Sequence, residues 1–266
     1  MGEDRMNHLV VLMYHGLVRD TQDLQNIAPE DRPYTLRLQQ FEAQLDAIQR
    51  ADIPVRDARQ LQAGGSIQPG LVISFDDGHA SNAELALPAL RSRAMPACFF
   101  ITTGFVGQRP GYCTWEQVRE LAASGMCVGA HGHDHRFLAG LDPAQLDAEL
   151  RQSRDLLRQH LGQAPRQMSF PGGRHDPRAV SAARAAGFEV LHGSRPGVLA
   201  ASRAVPMGVI PRMAIRPEMD LPKFLAHARG DRSLLMRARL VEAGKAMARG
   251  MLGHDRYHRL YARLRA

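Results

Sequence analysis

Short apolar runs alternate with helix-like segments along most of this 266-residue chain, and that alternation restricts its fold more than any other feature. His8–Tyr14 (HLVVLMY), Leu71–Phe75, Ala97–Ile101 (ACFFI), Cys127–Ala130, Met168–Phe170 and Phe188–Leu191 have the length and composition of buried strands, and Ile53–Val55 reads as a shorter one. Between them, Leu38, Phe41, Leu45 and Ile48 recur at the spacing of one helical face. A helix is predicted over Asn82–Arg93. Thr114-Trp115-Glu116-Gln117 has the pattern of a capping box, with Trp115 packing in the helix it opens. Asp142-Pro143 opens a longer helix carrying Leu146, Leu150 and Leu157, and Pro177–Ala186 ends at Gly187. Gly193–Gly208 reads as a long loop. Strands that are apolar on both faces need helices to cover them. The pattern therefore predicts an α/β protein with a mostly parallel sheet and enough units to close a barrel.

Composition narrows the class further. With 44% hydrophobic and 23% charged residues the chain can bury a sizeable core and is not a disordered segment. Its three cysteines, Cys98, Cys113 and Cys127, form no CxxC pair, which excludes a zinc ribbon and a disulfide framework. Acidic residues precede the first apolar run, Leu9–Tyr14, which is too short for a signal-peptide core or a membrane span; a reducing, cytoplasmic setting is the expectation. The net charge of +7 is concentrated between Arg229 and Arg265, where ten Lys/Arg face three Asp/Glu. There Leu234, Leu235, Leu240, Val241, Met247, Met251, Leu252, Leu260 and Leu264 interleave with Arg237, Arg239, Lys245, Arg249, Arg256 and Arg263. The chain is therefore divided into a domain over residues 1–225 and a basic amphipathic helical tail over 226–266. The tail is expected either to lie on an anionic membrane surface, at the inner face, or to pack on the barrel or a subunit interface. Without aromatic interleaving or a known motif, nucleic acid is not an expected partner.

In parallel α/β architectures chemistry gathers at the carboxyl ends of the strands. Here HLVVLMY is followed by His15, LVISF by Asp76-Asp77-Gly78, CVGA by His131-Gly132-His133-Asp134-His135, and MSF by Pro171-Gly172-Gly173-Arg174; the run Val209-Ile210 leads into Pro211-Arg212. One carboxylate with two imidazoles is a common set for a divalent ion that keeps open positions. His131 and His135, four apart, would share a face of a helical turn, and Asp77 would complete the set; His131 with His133 is the other pairing the spacing allows. A cation on Asp77 relieves the repulsion from Asp76 and keeps Asp76 ionised, free to take a proton from water. Gly78 permits the tight turn after them. His79 has no assigned task and reads as a loop residue.

These motifs resemble the polysaccharide deacetylases, the NodB-homology group of carbohydrate esterase family 4, over roughly Leu9 to Arg216. SFDDG is similar to that family's first motif, TFDDG, and AHGHDH to its second, H[ST]xxH, stretched by one residue. LMYH, ACFFITTGFVG and SFPGGRHD resemble segments of the poly-N-acetylglucosamine deacetylase and exopolysaccharide-locus branch. The resemblance implies a deformed (β/α) barrel and hydrolytic removal of acetyl groups from an N-acetylated glycan, or from a lipid- or nucleotide-linked sugar precursor. It implies Asp76 as base, Asp77, His131 and His135 as ligands of one divalent ion (zinc first, with iron, nickel or cobalt as alternatives), and a protonated His15 as general acid. The family's third motif, RxPY, stands here as Ser169-Phe170-Pro171-Gly172. Its arginine is replaced by Arg212 in this reading, ahead of Arg174. The Gly172 N–H takes the oxyanion, and Phe170 beside Pro171 forms a wall of the groove. The altered motif also keeps open a non-catalytic glycan-binding or scaffold protein on the same fold, or a hydrolase acting on a different acyl group; an iron oxygenase lacks its HxD pair.

Overall fold

The computed structural model describes residues 6–27, 29, 31–231, 233–237 and 240. The elements are, in order, β1 (His8–Tyr14), β2 (Leu17–Val18), β3 (Leu36–Arg37), α1 (Leu38–Arg50), β4 (Gly70–Phe75), a π-helical turn over Asn82–Ala86, α2 (Leu87–Arg91), β5 (Ala97–Ile101), α3 (Trp115–Ala123), β6 (Cys127–Ala130), α4 (Pro143–Leu161), β7 (Gln167–Ser169), α5 (Pro177–Ala185), β8 (Val190–His192), β9 (Leu199–Ala200), β10 (Val209–Ile210), β11 (Met213–Ala214) and α6 (Leu221–Ala228). The helix starts follow their caps. Thr114 and Gln117 form the capping box, while Asp142, Asp176 and Asp220 each accept a backbone N–H from the first turn, with proline at the first or second position. Three expectations change, the first being that the segment Gly193–Gly208, read as a loop, carries β9. The helix predicted over 82–93 is split by the π turn, and Ile53–Val55 contributes only a bridge from Val55 to Leu71.

Among the described residues, β1 and β4 to β11 form one sheet, ordered β10-β8-β7-β6-β5-β4-β1-β11. Every pairing along that path is parallel, and β9 adds an antiparallel edge to β1. The two outermost strands of this order are consecutive in the chain. Val209–Ile210 pairs with β8, two residues intervene, and Met213–Ala214 pairs with β1. One extended segment therefore spans the gap between the sheet's edges, and Pro211-Arg212 is the seam that makes a barrel of it. This is the deformed (β/α) barrel expected from the sequence.

Strand side chains alternate between two faces. One set, including Val10, Leu12, Tyr14, Ile73, Phe75, Phe99 and Ile101, packs outward against helix residues such as Phe41, Leu45 and Leu90. Tyr14, Phe75 and Phe99 stack there in series, with centroids 5.3 and 5.0 Å apart. The other set, including Leu9, Val11, Val72, Cys98, Phe100, Cys127, Val190 and Ile210, fills the barrel interior. Continuing that inward parity toward the carboxyl ends gives His15 after β1, Ser74 on β4 and Asp76 just after it, His131 after β6, and Ser169 on β7. The interior is apolar below and polar at its top. The boundary expected at residues 225/226 falls inside α6, which packs on α1 with Phe224 and Ala228 both buried. The barrel body extends at least to Leu235, which is also buried. Of the basic tail, residues 241–266 lie outside the described residues.

Gly129, on the inward face of β6, has no room for a side chain. A β-carbon there would lie 2.6 Å from the Phe100 ring and 2.8 Å from the Gln167 carbonyl oxygen. Gly129→Ala is expected to destabilise the fold by about 1–3 kcal/mol through overpacking. It should appear as a lowered denaturation midpoint at unchanged slope.

Candidate active site

Asp76 is held from two sides. Its N–H donates to the Tyr14 carbonyl (2.9 Å), continuing the β4–β1 ladder. Its carboxylate receives both arms of Arg212, Nη1 to Oδ1 and Nη2 to Oδ2, each at 2.7 Å. Ser169 Oγ adds a third contact at 3.1 Å. Arg212 comes from the barrel seam and is fully buried. Its Nε donates to the Gly193 carbonyl and its remaining N–H groups reach Ser169 and Ser74. Of the two arginines considered for this place, the structure puts Arg212 there; Arg174 lies instead over the Phe137 ring. Burial pushes the Asp76 carboxyl up, but Arg212, His131 and His15 outweigh it and hold the group down at about 2.

Asp77 would point to the opposite face if the strand simply continued. Its φ of 74° turns the chain instead and brings its carboxylate to the same end of the barrel. Oδ1 stands 3.2 Å from His131 Nε2 and 3.3 Å from His135 Nε2. His135 is likewise in the left-handed region, at φ 56°. The other face of the His131 ring faces the Ser169 carbonyl at 2.9 Å. A carbonyl only accepts, so Nδ1 carries the proton and Nε2 presents its lone pair. The buried Asp77 Oδ1 consequently has no hydrogen-bond donor. An anionic oxygen and two imidazole nitrogens converging on one point suit a positive charge between them, a shared proton or a metal cation. Ligand atoms at about 2.0–2.1 Å from a tetrahedral zinc are about 3.3 Å apart, so these residues fit a divalent ion. Burial pulls His135 down, yet the Asp77 carboxylate 3.3 Å from its Nε2 outweighs it and leaves the imidazole above its usual value. Ion binding at this site therefore displaces a proton. His133 does not join the set: its Nδ1 lies 2.9 Å from Thr103 Oγ1.

The supporting contacts include residues that the motif reading missed. Glu149 projects from the buried stripe of α4, and its carboxylate accepts the N–H of His133 (2.8 Å) and of Asp134 (3.0 Å), fixing the loop that carries both ligand histidines. Its signal was available: an acid beside Leu150 and three residues after Leu146, on the apolar face of its helix. Ser74 and Ser169 gave no such signal, because a serine within a strand looks ordinary. His79 is not a bare loop residue. It is buried and stacks on Tyr112 (4.6 Å), with Nε2 3.7 Å from Asp77 Oδ2. Asp31, Asp77 and His79 make a second set of convergent ligand atoms. A cavity of about 360 Å³ opens beside them, lined in part by Arg32, Arg109 and Tyr112.

His15 stands at the same end, packed on Tyr34 at 4.7 Å, with its buried Nδ1 lacking a protein partner. Burial pushes this imidazole below its ordinary value, against the pull of Asp77 and Asp76. The protonated His15 expected from the sequence is therefore the minor form of the resting, metal-free site near neutral pH. Phe170, expected as a groove wall, is fully buried and packs on His175 (5.1 Å). Strand parity explains the correction, since Phe170 belongs with the outward set and Ser169 with the inward one. Pro171 lies against Gly132 in the histidine loop, and Gly172, at φ 59°, lies against Phe137. Trp115 stacks on His160 of α4 at 3.8 Å, as a helix-packing residue.

The family model for polysaccharide deacetylase matches residues 64–191. The Bacillus subtilis protein YxkH, assigned to the polysaccharide deacetylases, is 32% identical over 157 residues, 59% of this chain and 55% of the relative. The matched region thus spans about half the length of that curated relative. Streptococcus pyogenes deacetylase PplD, solved in complex with acetate, superposes with a TM-score of 0.72 at 20% identity, covering 84% of this chain and 99% of that one. IcaB from Ammonifex degensii superposes with a TM-score of 0.69 at 26% identity, covering 84% of this chain and 97% of that one. Residues 64–191, which include Asp76, Asp77, His131 and His135, match the polysaccharide deacetylase family, and the barrel that presents them has the fold of the solved deacetylases.

Proposed function

We propose that this protein is a metal-dependent hydrolase that removes the acetyl group from an N-acetylated sugar of a glycan or glycan precursor. The observation that carries the reading is the division of labour between adjacent carboxylates: Asp76 is neutralised by Arg212, while Asp77 faces two imidazole nitrogens with no donor. A divalent ion held by Asp77, His131 and His135 supplies Lewis-acid activation of water and of the acetamide carbonyl. Asp76, ionised and unable to swing because both oxygens are forked on Arg212, receives the proton that the attacking water loses. The Gly172 N–H serves as a donor for the oxyanion. An amide nitrogen leaves only when protonated, and His15, across the site, donates to it from its minor protonated form. Acetate and a free amino sugar result.

Zinc is the proposed metal. The proposed substrate is a lipid- or nucleotide-linked sugar, or the glycan itself, met in the cytoplasm or at the inner membrane face. Three buried free thiols fit a reducing setting. Among the described residues no helix is long and apolar enough to cross a membrane. Contact of the basic tail with anionic lipid belongs to the same proposal.

The zinc-loaded protein is expected to release acetate from an N-acetylglucosamine oligomer; no acetate from any N-acylated sugar would overturn the reading. Asp77→Asn should lose bound metal and activity together, as read by elemental analysis and acetate assay. Asp76→Asn should keep the metal and lose about 10²–10⁴ in kcat. His15→Ala should slow amide cleavage far more than cleavage of an activated aryl acetate, whose leaving group needs no proton; equal losses would remove the acid role. The Asp76–Arg212 pair also makes a stability prediction for the metal-free protein. Arg212→Met strands a buried carboxylate and should cost about 3–5 kcal/mol at pH 7. Because the folded Asp76 sits at about 2, the pair's contribution is present above the unfolded value and lost as pH falls through the folded one. Without Arg212 burial leaves the variant's Asp76 above its unfolded value, so the gap between wild type and Arg212→Met should begin to narrow above roughly pH 4 and go on narrowing to about pH 2.

A further inference from the structure

Phe137 is the one aromatic among the large hydrophobic side chains exposed in the described residues, at 45% of its surface. A single exposed apolar residue is ordinary. What surrounds this one is not. It follows His135, a candidate metal ligand, by two residues, so their α-carbons are at most about 7 Å apart. Its ring rests on Gly172, the residue whose N–H is proposed for the oxyanion. A β-carbon on Gly172 would lie 2.7 Å from Phe137 Cε1 and 3.3 Å from Cδ1, and the glycine's φ of 59° is itself unfavourable for other residues. The backbone there is doubly required to be bare, and the ring takes the vacated space. The Arg174 guanidinium lies over the ring, 3.9 Å from its centroid. Gly172 and Arg174 both follow β7, while Phe137 follows β6. The ring therefore ties two loops together at the open end of the barrel and is held by both.

A rigid ring with half its surface in water, beside the reacting centre, matches the C–H face of a pyranose. Such a face is apolar and packs on an aromatic ring, while the hydroxyls at its edge stay in water. The side chain pays little entropy on binding because it is already fixed. We infer that Phe137, set on Gly172 and flanked by Arg174, is the platform for a sugar next to the one that loses its acetyl group, which makes the substrate an oligomeric glycan. This rests on the deacetylase reading for the identity of the reacting sugar, but binding can be measured without catalysis.

The test is calorimetric titration of the full chain, without metal, with an N-acetylglucosamine pentamer and with the monosaccharide. Wild type is expected to bind the pentamer at least tenfold more tightly than the monosaccharide. Phe137→Ala should lose most of that tenfold preference without changing monosaccharide binding, and Phe137→Trp should keep it. Pentamer binding unchanged in Phe137→Ala, no binding by wild type, or equal weakening for both ligands would overturn the inference, the last by marking Phe137 as a loop-packing residue. Acetate release by the zinc-loaded wild type reports separately on the deacetylase reading. A protein that binds the pentamer through Phe137 and releases no acetate keeps the platform and loses the reaction.

Discussion

Arg212 lies inside the barrel with its guanidinium forked on Asp76, and most of the site follows from that one pair. A buried guanidinium without a counter-charge is costly, and so is a buried carboxylate; together, with Ser74, Ser169 and the Gly193 carbonyl taking the remaining donors, they are satisfied. The pair acts at two levels. Arg212 sits in the two-residue link between β10 and β11, so the contact that neutralises Asp76 also fastens the segment that joins the sheet's two edges. The same contact removes Asp76 from competition for a cation. Only Asp77 is left with an uncommitted carboxylate oxygen facing His131 and His135.

Strand alternation supplies the rest of the geometry. Residues of one parity along β1, β4, β6 and β7 line the interior, and each line ends in a polar side chain at the carboxyl end. Alternation alone cannot bring two adjacent aspartates to one place. The left-handed backbone at Asp77 does that, and a second left-handed residue, His135, returns its ring toward the first. Both are non-glycine residues in a conformation that costs free energy. Glu149 helps to hold the histidine loop in that shape by accepting two of its backbone N–H groups.

Much of this was legible in the sequence, and the reasons are physical. Apolar runs of strand length separated by capped amphipathic helices leave few architectures open, so a parallel α/β sheet with enough units to close and its helix starts could be read directly, and the family resemblance implied the deformed barrel. The strand ends announced His15, Asp76, Asp77, His131 and His135 because charged and imidazole side chains are out of place beside apolar runs. What could not be read depends on backbone detail or on distant contacts. Nothing local marks Phe170 as outward-facing once the strand has ended, and Ser169 carries the functional parity instead. The choice of Arg212 over Arg174 depends on how the chain returns from β8 to β1, which spacing does not encode. His79 looked idle because its partners, Tyr112 and Asp77, meet it only after folding.

Anomalous diffraction from zinc-loaded crystals tests the central claim most directly. The account predicts a single strong peak bonded to Asp77 Oδ1, His131 Nε2 and His135 Nε2, with both Asp76 oxygens still paired to Arg212. A peak ligated by Asp76, with the fork to Arg212 broken, would contradict it.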